Sequence, residues 1–504
     1  MNGHSVLRTK PVEDVLAQGS DEDDGPGGHA GGHGSTLRRR LGALDLMGFG
    51  VGIVIGTGIF TLTGIEAKNH AGPGVVFSFA VAGLVSLLAA LCYAEMSSAV
   101  PTAGSAYTYA YATIGEVFAW IIGWDLILEF ALGAAVVARG WSGYLQELFG
   151  LPSSIFGEGS IVNVGAIFIV LVLGAVAMVG IRESARVTNV LVVIKVAICL
   201  FVIVAGAFFV QRSNLTPFIP AAAPVKEGTS GLKQPLGQAL FGIEPSAFGF
   251  AGILTAAAVV FFAYTGFEAV ANMGEETRKP ARDLPLGLLG TLGLCTVLYI
   301  GVSFVLTGMV SYTKISEGAP IANAFEQVGL SWAAKLVSIA AICGLTSVIL
   351  VDILAMGRIG FAMGRDNLLP PAVARIHPKW GTPYRITGAT IVLVAVLAGL
   401  VPLSALADLV SIGTLFAFIV VSIAVPVLRR TKPDMKRPFR VPLSPVIPIL
   451  SALACLYLMT NLSVETWVRF LIWMVLGLAV YFFYGKRNAR LARPAEERPA
   501  ASAI

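Results

Sequence analysis

Five ionisable residues stand inside long apolar runs of this chain, and each has the chemistry to carry a proton or bind an ion. Lys195 interrupts VLVVIKVAICL, Asp125 and Glu129 lie in GWDLILEF, Glu268 lies in FFAYTGFEAV, and Asp352 lies in SVILVDILAMG. A charge in an apolar span is expensive, so such side chains face protein or water by default. Asp125 and Glu129 are one helical turn apart on one face, close enough to influence each other's protonation. Asp125, beside Trp120 and Trp124, reads as structural, whereas Glu129 is deeper and a candidate for proton coupling or a ligand pocket. Glu268 carries the same reading. Lys195 falls nine residues after Arg186, roughly 13 Å of helix further in, so it either snorkels to the edge or exchanges a proton.

Two stretches of backbone are suited to binding. Leu44 to Glu66 is apolar and long enough to span a bilayer, yet holds Gly56, Thr57 and Gly58 near its middle. Each glycine costs a helix roughly 1 kcal/mol, and unwound backbone at that depth is tolerated only where it lines a cavity or meets a ligand. The alternative is close packing, because Gly48, Gly52 and Gly56 recur every fourth residue. Both hold if Gly48 and Gly52 pack while Gly56 to Gly58 opens. A second, weaker interruption, Thr265 and Gly266, precedes Glu268 in the apolar run from Ala256 to Glu276.

The elements that position these residues are membrane helices. Of the 504 residues 56% are hydrophobic and 13% charged, far below the roughly 25% charge of soluble chains. Hydropathy predicts twelve spans, near 42–66, 72–99, 116–140, 161–181, 187–210, 251–274, 285–310, 332–359, 385–402, 405–428, 444–461 and 466–484. The basic clusters Arg38–Arg40, Arg182/Arg186, Arg278/Lys279/Arg282, Arg365/Arg375/Lys379/Arg385, Arg429 to Arg440 and Lys486 to Arg493 then share one side. The other side holds only scattered charges such as Lys68, Arg212, Lys226, Lys233, Lys314 and Lys335. The positive-inside rule places that basic side, and both termini, in the cytoplasm. The net charge of +5 therefore belongs to loops and not to a nucleic-acid surface.

The polar tail 1–36, with acids at Asp21 to Asp24 and solvated His29 and His33, reads as disordered and is no cleavable signal. Residues 37–210 and 251–430 form two five-helix sets separated by an outer loop, 211–250; two helices (431–486) and a tail (487–504) follow. An odd number of spans per set inverts the second set, and each set opens with an interrupted helix. The five cysteines, all in apolar runs, show neither disulfide nor metal-ligand spacing.

At this point GVGIVIGTGIFTLTG, CYAEMSSAVPTAGSAYTYAYATIGE, GWDLILEF, VARGWSGYL, FFAYTGFEAV with GEETRKPARDLP, and GRDNLLP carry a resemblance. The chain resembles a bacterial amino acid permease of the amino acid–polyamine–organocation superfamily, close to its cationic amino acid transporter branch, from about Leu37 to Lys486. The resemblance implies an all-α membrane protein of twelve helices, a five-plus-five inverted repeat with helices 1 and 6 discontinuous, alternating access, and proton-coupled amino acid uptake. It implies that Lys195 does in its proton what sodium does in related transporters, and that Phe262 and Tyr264 wall and gate the pocket.

A half-helix N-terminus suits a carboxylate and a C-terminus offers carbonyls to an ammonium. The substrate carboxylate is therefore expected on the backbone of Gly56, Thr57 and Gly58, and the ammonium on carbonyls near Ile55, Phe262 and Thr265, beside Gly266. The family has an uncharged residue where Asp352 stands. Arg358 points elsewhere on the helix, so Asp352 is expected either to pair with Lys195 or to bind the side-chain cation of lysine, arginine or ornithine. Glu275 and Glu276, beside Arg278 and Lys279, read as a salt-bridged inner gate or as solvated charge.

No nucleophile elbow, phosphate loop or His/Cys metal set points to an enzyme or to a cofactor other than the coupling proton. The rival functions are an amino acid or amine exchanger without net proton movement and a non-transporting nutrient sensor, for which the short tails leave little room. A channel lacks its ring of pore charges. The partners expected are an amino acid and the cytoplasmic membrane's lipid, with accessory subunits and oligomeric state left open.

Overall fold

The computed structural model describes residues 8–9, 41–99, 105–180, 185–224, 231–244, 246–274 and 276–489. His29, His33, Arg38–Arg40, Arg182, Lys226, Glu275, Arg490 and Arg493, the acids at 21–24 and the side chain of Arg186 lie outside the described residues.

Long apolar runs with few breakers fold into helices, because only a helix satisfies its own backbone where no water is present. In chain order these are α1 (Ala43–Val54), α2 (Val75–Ala99), α3 (Ser105–Thr113), α4 (Glu116–Phe149), α5 (Val164–Val179), α6 (Ala185–Ala207) and α7 (Gly249–Val260). There follow α8 (Pro280–Met309), α9 (Pro320–Gln327), α10 (Ser331–Arg365), α11 (Tyr384–Leu400), α12 (Leu403–Thr431), α13 (Val446–Thr460) and α14 (Val464–Val480). Among the described residues eight helical segments are long and apolar enough to cross a membrane, and α1, α5, α11 and α13 are shorter apolar helices. The strands described are one antiparallel pair of two residues each, Ala223–Pro224 with Ser246–Ala247, in the long loop before α7.

Burial separates core from periphery. The most apolar window of α4 is 78% buried, against 28% in α6 and 22% in α14. The helix α4 packs against α10 and α12, while α8 packs against α1 and α2. The carboxylates of α4 and α10 are thus carried by central helices, and α14 presents its apolar surface outward.

Two helices leave regular geometry at the interruptions. The first, α1, ends at Val54, and Ile55 turns extended (φ −75°, ψ 97°). The chain resumes in π-helical turns, Gly58–Leu62 and Ala67–Ala71, around the α-turn Thr63–Glu66. In the second, α7 passes into a 3-10 turn, Phe261–Tyr264; Thr265 is extended (φ −66°, ψ 152°) and Gly266 left-handed (φ 95°). A 3-10 segment, Phe267–Met273, follows. That left-handed position is one a side chain adopts only at a cost.

Charged staples fix both ends of the bundle. Arg139 of α4 donates to Glu158 at 2.8 Å and to the carbonyls of Ala398 and Val401, while Glu158 accepts the Leu403 N–H at 3.1 Å. Glu95 of α2 takes two bonds from Arg429, at 2.9 and 2.5 Å, and the Val441 N–H at 2.7 Å. Near α4's start, Glu116 donates its N–H to the Arg8 carbonyl at 2.8 Å, and the Arg8 guanidinium lies 3.5 Å from the Glu116 carboxylate. The disorder expected of the tail gives way at Arg8, because it caps a helix start and meets a buried acid.

Candidate substrate cavity at the two helix breaks

Both breaks face one cavity. Ile53, Val54, Gly56 and Gly58 line it from the first, and Phe262, Thr265, Gly266 and Glu268 from the second. Glu129, Phe130, Gly133 and Val137 come from α4, Val348 and Asp352 from α10, and Val410 from α12. About 30 Å³ of it is open to the centre of a water molecule, against roughly 10–15 Å³ for holding one water. A larger guest enters only if the walls part.

The cavity gathers eight of the residues singled out from sequence: Gly56, Gly58, Phe262, Thr265, Gly266, Glu129, Glu268 and Asp352. Ile55, Thr57, Tyr264 and Lys195 stand behind its wall. Ile55 returns its N–H to Val51 at 3.0 Å. Thr57 is buried against Gly140 of α4. Tyr264, expected at the wall, donates instead to the Phe79 carbonyl at 2.9 Å and packs on Tyr299. The ring of Phe262 does line the cavity, but its carbonyl accepts both the N–H and the hydroxyl of Thr265, at 3.1 and 2.9 Å. With both lone pairs engaged, that carbonyl is withdrawn from the set expected to meet an ammonium.

Two glycines keep their expected roles and two do not: a Cβ on Gly52 would lie 2.7 Å from Val192, so Gly52 packs, and Gly56 opens, whereas Gly48 and Gly58 depart from the expectation. A Cβ on Gly48 would meet nothing within 4 Å and one on Gly56 nothing nearer than 3.9 Å, so both face open space. A Cβ on Gly58 would lie 2.3 Å from the Cβ and 2.4 Å from the Cα of Ala263. Gly58 is therefore the close-packing glycine, where the first break touches the second, and Gly56 is the one that opens.

Lys195 is fully buried and donates to the Gly52 carbonyl at 2.5 Å, which rules out snorkelling. Its stem passes Gly344 of α10, where an added Cβ would sit 3.0 Å from Cε. Glu268 folds back so that both oxygens lie 3.1 Å from the Gly266 N–H. Glu129 is within electrostatic reach of Glu268, Asp125 and Asp352. Asp352 is over nine-tenths buried and accepts no hydrogen bond from any described residue; Gly133 faces it, with an ideal Cβ 3.2 Å from Oδ2. Asp125 is fully buried with neither oxygen bonded among the described residues, and it packs against Gly413 of α12, where an added Cβ would lie 2.9 Å from Oδ1.

Sequence reasoning passed over Gly133 and Tyr299. Gly133 was within reach, four residues after Glu129 on the same face. Tyr299 sends its hydroxyl to the carbonyls of Val54 and Ala263, at 2.8 and 3.0 Å, and a tyrosine in an apolar helix gives no such signal.

A family profile described as amino acid permease matches residues 41–489. The chain belongs to that family. This permease is similar to a methylthioribose transporter of Bacillus subtilis, with 42% identity over 97% of this chain and 99% of the relative. It is similar to a branched-chain amino acid permease of the same organism, 41% identical over 97% and 99%. A vacuolar cationic amino acid transporter of Arabidopsis thaliana is 37% identical over 86% of this permease and 68% of the plant protein. Family and relatives are permeases and transporters, not enzymes, and the matched range takes in both breaks and every cavity residue.

Proposed function

We propose that this permease imports amino acids across the cytoplasmic membrane by alternating access, driven by protons. One observation carries the reading: two helices leave regular geometry and expose peptide groups to one cavity that also holds carboxylates. A zwitterion matches that pairing. Its carboxylate meets the N–H groups of the half-helix that starts after Gly56, and its ammonium meets free carbonyls at the end of α1 and at Thr265. In this reading ten of twelve helices form the five-plus-five inverted repeat, two more follow at the C-terminal end, and both termini are cytoplasmic.

Proton coupling falls to Lys195, Glu129 and Glu268. Lys195 reaches the last turn of the first half-helix, so gain or loss of its proton alters the tie on that half-helix. Asp352 stands in the cavity wall without a hydrogen-bond partner among the described residues, which suits a cargo with a second positive charge. Names among the relatives support small metabolites, amino acids in the permease of Bacillus and the transporter of Arabidopsis.

The test is uptake of labelled leucine, alanine and lysine into proteoliposomes, with methylthioribose as a further arm. Accumulation of an amino acid only under an imposed inward proton gradient is expected. Equal accumulation after the gradient is collapsed overturns proton drive, and uptake of methylthioribose alone overturns the amino acid cargo.

A further inference from the structure

The two breaks are joined by one hydroxyl. Tyr299, on α8, is fully buried, and its oxygen lies 2.8 Å from the Val54 carbonyl and 3.0 Å from the Ala263 carbonyl. Val54 is the last residue of α1, and Ala263 lies in the 3-10 turn that closes the second break's first half. Carbonyls at such ends have lost their helical N–H partners. A phenol has one proton, so Tyr299 serves both carbonyls through a shared bond. Its ring cannot wander: it packs on Phe79 and Tyr264, 5.6 and 5.3 Å between centroids, and Tyr264 is itself tied to the Phe79 carbonyl. On the other side of Ala263 lies Gly58, so the breaks also touch backbone to backbone.

We infer that Tyr299 is a positioning residue for substrate binding. Its hydroxyl fixes the carbonyl end of the first half-helix against that of the second, and so sets the spacing of the peptide groups that both breaks turn to the cavity. Val54 lines the cavity and Tyr299 does not, so the effect passes through the backbone. This rests on the cavity being the substrate site. It also makes a distinctive demand: a residue that spaces the peptide groups acts alike on every zwitterion, whatever its side chain.

Tyr299→Phe keeps the ring and removes the bond. Proteoliposome uptake of a neutral and a cationic amino acid is expected to show KM raised about 10-fold for both, the worth of one ordinary hydrogen bond. Maximal rate should stay within about twofold, as for loss of uniform binding. Phe79→Leu loosens the same ring layer but keeps both bonds, so its melting temperature should fall while KM holds. An unchanged KM in Tyr299→Phe, a rise confined to one cargo, or an equal rise in Phe79→Leu overturns the inference. Wild-type protein with no saturable amino acid uptake sinks the substrate reading itself, a different result.

Discussion

Lys195 and Gly52 meet 2.5 Å apart, the ammonium of α6 capping a carbonyl in the last turn of α1. A cation at a helix C-terminus is favourable, and this one belongs to another helix 143 residues away in sequence. The bond holds the first half-helix to α6 just before the chain breaks. Its strength depends on whether the lysine is charged, so under the proposed proton coupling this bond is the lever on the backbone of the first break.

Lys195→Gln tests that lever. Glutamine can still donate to Gly52 but carries no titrating charge, so the carbonyl need not be orphaned, a loss worth about 1–3 kcal/mol. Exchange of internal for external substrate should persist while accumulation under a proton gradient disappears. Retained gradient-driven accumulation in proteoliposomes would remove Lys195 from the coupling.

The two glycines of the first break should respond in opposite ways. Gly58→Ala drives a methyl into the backbone of Ala263, 2.4 Å from its Cα. Overpacking of this kind costs about 1–3 kcal/mol, so the melting temperature should fall. Gly56→Ala points its methyl at open space near Val348, where it occupies the cavity. The fold should tolerate it, while the thermal shift on adding substrate should vanish. Equal melting temperatures for the two variants would contradict the division of roles between them.

Asp352→Asn removes a charge from the cavity wall while keeping the size of the side chain. Cationic amino acids should lose at least about 10-fold in affinity, the scale of about 1.4 kcal/mol, and neutral ones should change little. Competition of lysine and leucine against one labelled cargo reads this directly. A loss of proton drive for every cargo would instead assign Asp352 to coupling, through Lys195 or Glu268, both within its electrostatic reach.

What was legible follows from where the information sits. Both interruptions were readable, because Gly-Thr-Gly and Thr-Gly are local features of long apolar runs. The grouping of Glu129, Glu268 and Asp352 was readable only in part: each was singled out by its cost in an apolar span, but no spacing says that three helices bring them to one cavity. Gly56 opens as expected, but Gly58, expected to open with it, packs on Ala263, since two residues along an irregular turn point in directions that periodicity does not define. Tyr264 and the Phe262 carbonyl escaped because their occupants, the Phe79 carbonyl and Thr265, depend on a 3-10 turn where a regular helix was the starting point. Arg8 escaped because a polar, glycine-rich tail gives no hint of its distant partner.

Arg8 offers the last test. Its guanidinium lies beside the fully buried Glu116 and donates to the Lys486 carbonyl at 3.3 Å, so it joins the start of α4 to the turns that follow α14. Tyr111 and Tyr481 also donate to Glu116, at 3.2 and 2.9 Å. Removing one member of a buried pair costs about 3–5 kcal/mol when the other is stranded; with two phenols still in place, Arg8→Ala should cost less, about 1–3 kcal/mol. Glu116→Gln added to Arg8→Ala should restore part of the melting temperature, because the stranded charge is gone. A double variant no more stable than Arg8→Ala would mean that the tail is held by its backbone bond to Glu116, and that the charge pair adds nothing.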